Sequence, residues 1–389
     1  MQITEIKATP VFVPLETPTH SNMGIRLGTK RTIVQMYTDN GVEGIGETLG
    51  GDPTTYLIKL MSNQIIGEDP FRIENILRRL SKLPFFYGYN GFMAIGGIEM
   101  ACWDIMGKAT NQPVAQLLGG IERREIPVSA FVHNRESTDK KEISREQSAE
   151  RIVEFAQQLI DKYGFKVIKY KSEGTNDFLD LKVMRSLREH FGEEMKLRID
   201  PNTAWTYEQA LNICKKLEPY DLEYIEDPVA GIEAMSRLRR EVNIPFSTNM
   251  CVVDFDQLAI GIQTKAVDVI LGDPIHWGGL WNFKKLAAVC ETFKLGMSMH
   301  SGGDLGISTA AILQLVASTP VVHHAMDSLY YHYVGDIITE PFKFIDGCLH
   351  LPEGPGLGVE IDQEAFDHYA TMHEKQSGKP LPKGHVYPM

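Results

Sequence analysis

Long apolar runs, paired cysteines and an excess of positive charge are all missing from this 389-residue chain. No apolar stretch reaches the roughly 18 residues that a membrane span requires. The opening Met1-Gln-Ile-Thr-Glu-Ile-Lys carries charge where a signal peptide needs an apolar core. The five cysteines, Cys102, Cys214, Cys251, Cys290 and Cys348, are odd in number and show no CxxC spacing. That pattern argues against a disulfide framework and a cysteine zinc site, and it fits a reducing, cytoplasmic setting. With 39 basic against 51 acidic residues the net charge is −12, so neither nucleic acid nor an anionic membrane is expected as a partner. An anionic substrate would have to meet positive charge placed locally, by lysines or by a metal.

What is present is ordinary globular material, 43% hydrophobic and 23% charged, enough for one domain of about 200 to 250 residues and a smaller one. The first 50 residues suggest antiparallel strands at Ile3–Pro14, Arg31–Thr38 and Val42–Thr48, with a turn at Asp39-Asn40-Gly41. Between the first two, Thr17 to Thr29 is polar, contains Gly24 and Gly28, and is expected as a mobile loop. From about 53 to 117 the pattern turns helical, clearest at Phe92, Ile95, Ile98, Cys102, Ile105 and Met106, with Gly119-Gly120 as the expected stop. Strands followed by helices make an α+β module.

After Glu125, short apolar stretches alternate with helical patterns. Strands are expected at Ile126–Val132, Val167–Lys171, Lys196–Asp200, Glu223–Glu226, Phe246–Asn249, Val267–Asp273 and Met297–His300. This is the signature of a parallel sheet with helices on its outer face, and the near-regular spacing implies a (β/α) barrel. The Gly- and Pro-rich stretch from about 340 is expected to return to the first module. The division expected is therefore 1–125, 126–340 and 341–389.

From Val167 onward each of these stretches ends in polar residues: Lys169 and Lys171, then Asp200, Glu226, Asn249, Asp273 and His300. In such barrels chemistry sits at the carboxyl ends of the strands. Lys169 and Lys171 flank Tyr170, so period-two geometry turns both ammonium groups to one side, where each should depress the other's pKa and make one a usable base. Asp200 and Glu226 taken singly have a plainer role as helix caps. Asn249 on the next strand completes three oxygen donors, a set that suits Mg²⁺. An amide there, in place of a third carboxylate, leaves the cage formally neutral with Mg²⁺ and tolerant of a more negative substrate. Asp273 and His300 end neighbouring strands, where the carboxylate can fix the imidazole's tautomer. Asp327, in His-Ala-Met-Asp-Ser, would close the eighth strand end and is a candidate substrate contact. His276, His323 and His324 have no spacing that decides their role.

This ordered series, with the phrases IDPNTAW, YIEDP, STNM and PGLGVEID, resembles the enolase superfamily, in its mandelate racemase-like branch, over nearly the whole chain. Asn249 with Lys169-Tyr-Lys171 and the Asp273/His300 pair is most similar to the glucarate dehydratases. The resemblance implies a (β/α)7β-type modified barrel under an α+β capping domain, with Mg²⁺ held by Asp200, Glu226 and Asn249. It implies Lys171 as one base, His300 oriented by Asp273 as the other, and Lys169 on the substrate carboxylate. It also implies a hydro-lyase acting on a small-molecule acid sugar, in a homo-oligomer. Racemisation, epimerisation or cycloisomerisation begins with the same proton abstraction. Residues that reach substrate are expected among His20, Arg26, Ser301 and Asp327. The chain departs from the glucarate dehydratases at Gly302, where they typically carry asparagine.

Overall fold

A computed structural model describes residues 1–82, 87–134, 145–379 and 383–386. The chain opens with strands β1 (Ile3–Ser21), β2 (Gly24–Thr38) and β3 (Glu43–Leu49), antiparallel in the order β1-β2-β3. Thr17 to Thr29, expected as a loop, belongs instead to a hairpin that runs unbroken to a turn at Asn22 and Met23, with a register shift between Pro14 and Thr19. The reason is non-local. A tail strand, His385–Val386, pairs with Ile25 and Arg26, and Val334 N donates to Pro14 O at 3.1 Å, so backbone groups that a free loop would leave to water are satisfied by distant segments.

Helices follow, α1 (Asp52–Ser62), α2 (Ile73–Leu80) and α3 (Tyr89–Thr110). The last is apolar nearly all round and buried along most of its length, as a central core helix must be. Gly96-Gly97 sits inside α3 for packing. A Cβ on Gly46 of β3 would lie 2.2 Å from Gly97 O, and one on Gly97 would touch Thr48 at 3.0 Å, so helix and sheet approach closer than side chains permit. The long helix is capped at Asn111, in the left-handed region with φ 54°, and a short helix, Val114–Leu117, carries the helical region on to the expected stop at Gly119, with φ 124°.

The expected strand Ile126–Val132 divides in two. Glu125–Pro127 pairs antiparallel with Cys348–His350, and Ala130–His133 starts the barrel. Numbering the barrel strands by position, B1 is Ala130–His133, B2 Val167–Lys171, B3 Lys196–Asp200, B4 Tyr224–Glu226, B5 Phe246–Thr248, B6 Val269–Gly272 and B7 Gly296–Met299, all parallel and in sequence order. Val322–Asp327 fills the eighth position. It bridges in parallel to Met297 on one side and to Val128 on the other, which closes the ring. A helix follows each of the seven strands, giving a (β/α)7β barrel. On B2, Tyr170 points outward, its hydroxyl 3.2 Å from Asp180 of the next helix, while Lys169 and Lys171 point inward as the alternation requires. Among the described residues no helix is long and apolar enough to cross a membrane.

Candidate active site at the carboxyl ends of the barrel strands

The inward lysines meet carboxylates at once. B2 and B3 place Lys171 opposite Asp200, and Lys171 Nζ donates to Asp200 Oδ2 at 2.5 Å. One layer deeper, Lys169 Nζ stands 2.5 Å from Glu226 Oε2, 2.5 Å from Asp327 Oδ2 and 3.6 Å from Asp200 Oδ2, with only 1% of its surface exposed. The expected mutual depression of the lysines is therefore not met at Lys169. Burial alone would lower its pKa, and the charges of Asp327, Glu226 and Asp200 outweigh burial, holding the ammonium well above its ordinary value.

Asp327 is heavily engaged within the protein. Its Oδ1 accepts from Ser129 Oγ at 3.1 Å and lies 3.6 Å from Arg198, its Oδ2 takes Lys169, and it is 1% exposed. Through these partners it braces the floor of the site.

Asp200 and Glu226 share Lys169 as a common neighbour, and Asn249 stands one residue past B5, the strand paired with B4. The oxygen set fits a divalent cation on two observations. Glu226 Oε1 and Asn249 Oδ1 are buried from water without a hydrogen-bond donor, a costly condition unless something electropositive meets them. The two carboxylates are also pushed apart. Burial favours the neutral form of both; Lys171 and Lys169 overcome it at Asp200, whereas Glu226, further repelled by Asp200, stays well above the ordinary carboxylate range. The pair is short of positive charge.

Sequence reasoning missed the residue that aims Asn249. Asp227, buried and with φ 40°, accepts from Thr248 Oγ1 at 2.5 Å, from Asn249 N at 2.8 Å and from Met250 N at 3.1 Å, clamping the turn that carries the amide. Its only signal was its place directly after Glu226.

At the ends of B6 and B7, His300 Nδ1 lies 3.0 Å from Asp273 Oδ2. That nitrogen carries the hydrogen, which leaves Nε2 with the lone pair. Asp273 Oδ1 is fixed by Ile275 N at 2.8 Å. Burial would raise the Asp273 pKa, but His276 and His300 beside it hold it below the usual carboxylate range. His276 was undecided by sequence and belongs here, its ring 5.2 Å from that of His300. In the barrel order B2 is second and B7 seventh of eight, so Lys171 and His300 stand on opposite sides of the mouth with the oxygen donors of B3 to B5 between them.

The hairpin covers this mouth. Arg26 donates to Gly28 O at 3.1 Å, Gly302 O at 3.2 Å and Tyr333 Oη at 3.2 Å, which ties β2 to the loop after His300. His20 N bonds Asn134 O at 3.2 Å, beside B1, and Asn22 Nδ2 reaches Asn202 O at 3.0 Å, beside B3. Ser301 Oγ donates to Asp304 Oδ2 at 2.8 Å. His20, Arg26 and Ser301 thus lie around the entrance, with Arg26 and Ser301 already engaged in holding it together. Two other clefts, about 490 Å³ beside Tyr163, Tyr330 and Phe344 and about 650 Å³ beside Arg237 and Met250, contain none of the strand-end residues. Convergent charge, rather than cleft size, locates the site.

Comparison with known proteins gives the same picture. Residues 3–119 match the mandelate racemase / muconate lactonizing enzyme N-terminal domain, and residues 151–365 match the enolase C-terminal domain-like family. A probable glucarate dehydratase of Streptomyces coelicolor is 32% identical over 95% of this chain and 91% of its own. The crystal structure of an enolase, a putative sugar isomerase, from Streptomyces coelicolor superposes with a TM-score of 0.93 at 43% identity, covering 97% of this chain and 99% of that one. An enolase from Thermobispora bispora, complexed with magnesium and formate, superposes at 0.89 with 34% identity over 97% and 94% of the two chains. This chain belongs to the mandelate racemase-like branch of the enolase superfamily.

Proposed function

We propose that the chain is a Mg²⁺-dependent acid-sugar dehydratase that removes the proton α to a carboxylate and eliminates the β-hydroxyl, giving a 2-keto-3-deoxy acid. The observation that carries this reading is the pair of proton-transfer groups, Lys171 and His300, on opposite walls of one mouth with an electron-rich oxygen set between them. Asp200, Glu226 and Asn249 would hold the metal, and a Mg²⁺ bound there supplies the positive charge that makes an α-proton acidic enough to leave. Lys169 keeps the floor of the site cationic while remaining fixed by three carboxylates. Lys171 Nζ or His300 Nε2 takes the α-proton, depending on the configuration at that carbon. Where His300 has taken the α-proton it gives that proton back to the departing hydroxyl; where Lys171 has taken it, His300 must enter as the imidazolium and give up its Nε2 hydrogen, with Asp273 holding the ring through Nδ1 in both cases. The setting we propose is cytoplasmic, supported by five free thiols, with the enzyme acting as a homo-oligomer.

Isomerisation is the second reading, favoured by the 43% identical structure described as a putative sugar isomerase, because it starts from the same proton abstraction. Incubating the Mg²⁺-loaded protein with an acid-sugar library in D₂O separates the two. Dehydration yields keto acid. Deuterium uptake with an epimer or ring-opened isomer and no keto acid replaces it by isomerisation, and silence in both assays across aldarates and aldonates rejects both.

A further inference from the structure

Asp273, His276 and His300 form a second cluster of metal-ligand type, whose donor atoms all lie within 4.8 Å of one another. Both imidazoles turn Nδ1 to the same oxygen: His300 Nδ1 is 3.0 Å and His276 Nδ1 is 3.7 Å from Asp273 Oδ2. The rings are inclined by only 31°, and Tyr89 packs edge-on against His276 from the capping domain at 5.3 Å. Asp273 is preset by Ile275 N on its other oxygen.

We propose that Asp273, His276 and His300 bind a transition-metal dication of the zinc type, at a site separate from the oxygen cage. The donors select the ion. Two imidazoles and one carboxylate suit Zn²⁺ and its neighbours, which bind nitrogen at roughly 2.0–2.1 Å and keep a fourth position open, whereas the oxygen-only set of Asp200, Glu226 and Asn249 suits Mg²⁺. Small movements bring the two Nδ1 atoms and Oδ2 from their present spacing onto one ion. The site stands on these side chains alone. Its consequence for turnover rests on the reading of His300 as a base. A neutral imidazole has one lone-pair nitrogen; once Nδ1 gives its pair to a metal, Nε2 must carry the hydrogen and has no pair to accept the α-proton. Zinc therefore silences the His300 wall and spares Lys171.

The test titrates Mg²⁺-saturated protein with Co²⁺, a coloured zinc surrogate, with Mg²⁺ in excess to hold the oxygen cage. The expected result is one visible-absorbing Co²⁺ per chain, discharged by one equivalent of Zn²⁺, and no band in either His276→Phe or His300→Asn. His300 is partly open to solvent, so its variant reports even if the buried His276 variant fails to fold. No band in the native protein, or a band that survives in folded His300→Asn, overturns the site. In D₂O, one equivalent of Zn²⁺ should abolish α-deuterium exchange from the His300 face and leave exchange from the Lys171 face. Zinc that discharges the band yet leaves the His300 face active overturns the inhibition, and with it His300 as a base, while the site itself stands.

Discussion

At the scale of single residues, the proposed chemistry turns on two atoms: the Asn249 oxygen, which would set the charge of the cage, and the Asp273 oxygen, which faces His300 Nδ1 and would set its tautomer. Asn249→Asp adds a third carboxylate beside Asp200 and Glu226. Mg²⁺ should bind at least tenfold more tightly by calorimetry, while KM for a dianionic substrate rises by a similar factor, because attraction for the cation and repulsion of the anion grow together. An unchanged Mg²⁺ affinity would place the amide outside the cage. Asp273→Asn keeps the shape but presents an amide to His300 Nδ1, which no longer forces the hydrogen onto that nitrogen. The loss in kcat should be on the order of 10² to 10⁴-fold, confined to stereoisomers whose α-proton faces His300. Equal losses for both stereoisomers, measured with paired substrates, would mean that Asp273 serves structure rather than the imidazole. Most of these residues were legible in sequence because strand alternation alone turns Lys171, Asp200, Glu226 and His300 into the mouth. The place of Asp327 at the eighth strand end was legible too, but its ties to Lys169 and Arg198, which arrive from other strands, were not, and neither was His276, whose place is set by a turn after Asp273.

At the scale of elements, local signals succeeded where an element's partners are its sequence neighbours. Val167–Lys171 and Lys196–Asp200 come out with the expected bounds because each is an apolar run fixed by adjacent strands. The division of Ile126–Val132 failed for the opposite reason, since Glu125–Pro127 pairs with Cys348–His350 more than 200 residues away, and the hairpin through Thr17–Thr29, though it pairs with itself, also takes a distant strand, His385–Val386, on Ile25 and Arg26. Similar long reach holds helix Leu280–Phe293. Its first turn has no cap of its own; Glu99 of α3 accepts from Leu280 N at 2.8 Å, Trp281 N at 2.9 Å and Trp103 Nε1 at 2.7 Å. Burial pushes the Glu99 carboxyl up to about 7, against the pull of those three donors. A folded-state value above the unfolded one means that the native state holds the proton more tightly, so this contribution is full below about pH 4.5 and is lost as pH rises toward 7. The upper bound is about 3 kcal/mol. Glu99→Gln, which cannot ionise, should flatten the fall in thermal midpoint between pH 5 and 7. A variant whose midpoint falls as steeply as the parent's would show that Glu99 is ionised throughout.

On the scale of the whole molecule, several contacts keep the capping domain seated on the barrel. The deepest link is a buried charge cluster. Arg31 of β2, with no exposed surface, donates to Glu47 Oε1 at 2.6 Å within the cap and to Asp304 Oδ1 at 2.9 Å across the boundary. Glu47 in turn accepts from Leu305 N at 2.9 Å and Ser308 N at 2.8 Å, at the start of the barrel helix Gly306–Ala317. Asp304 also takes Ser301 Oγ, one residue beyond His300. One arginine therefore connects the cap, the last barrel helix and the loop behind the imidazole. Arg31→Met keeps much of the volume and removes the cation, leaving two carboxylates buried together. Breaking such a cluster from one side costs roughly 3–5 kcal/mol, which for a chain of this size lowers the thermal midpoint by roughly 4–6 °C. The loss should shrink at low pH, because burial already pushes the Glu47 carboxyl up to about 7 against the pull of Arg31, and without that cation it holds its proton to a still higher pH, so its destabilising contribution grows only as pH rises past the ordinary carboxylate value. Adding Glu47→Gln to the variant should recover part of the loss at pH 8 and little at pH 5. Scanning calorimetry at the two pH values decides the matter: a midpoint loss independent of pH would assign Arg31 to packing alone and remove the charge cluster as the link between cap and barrel.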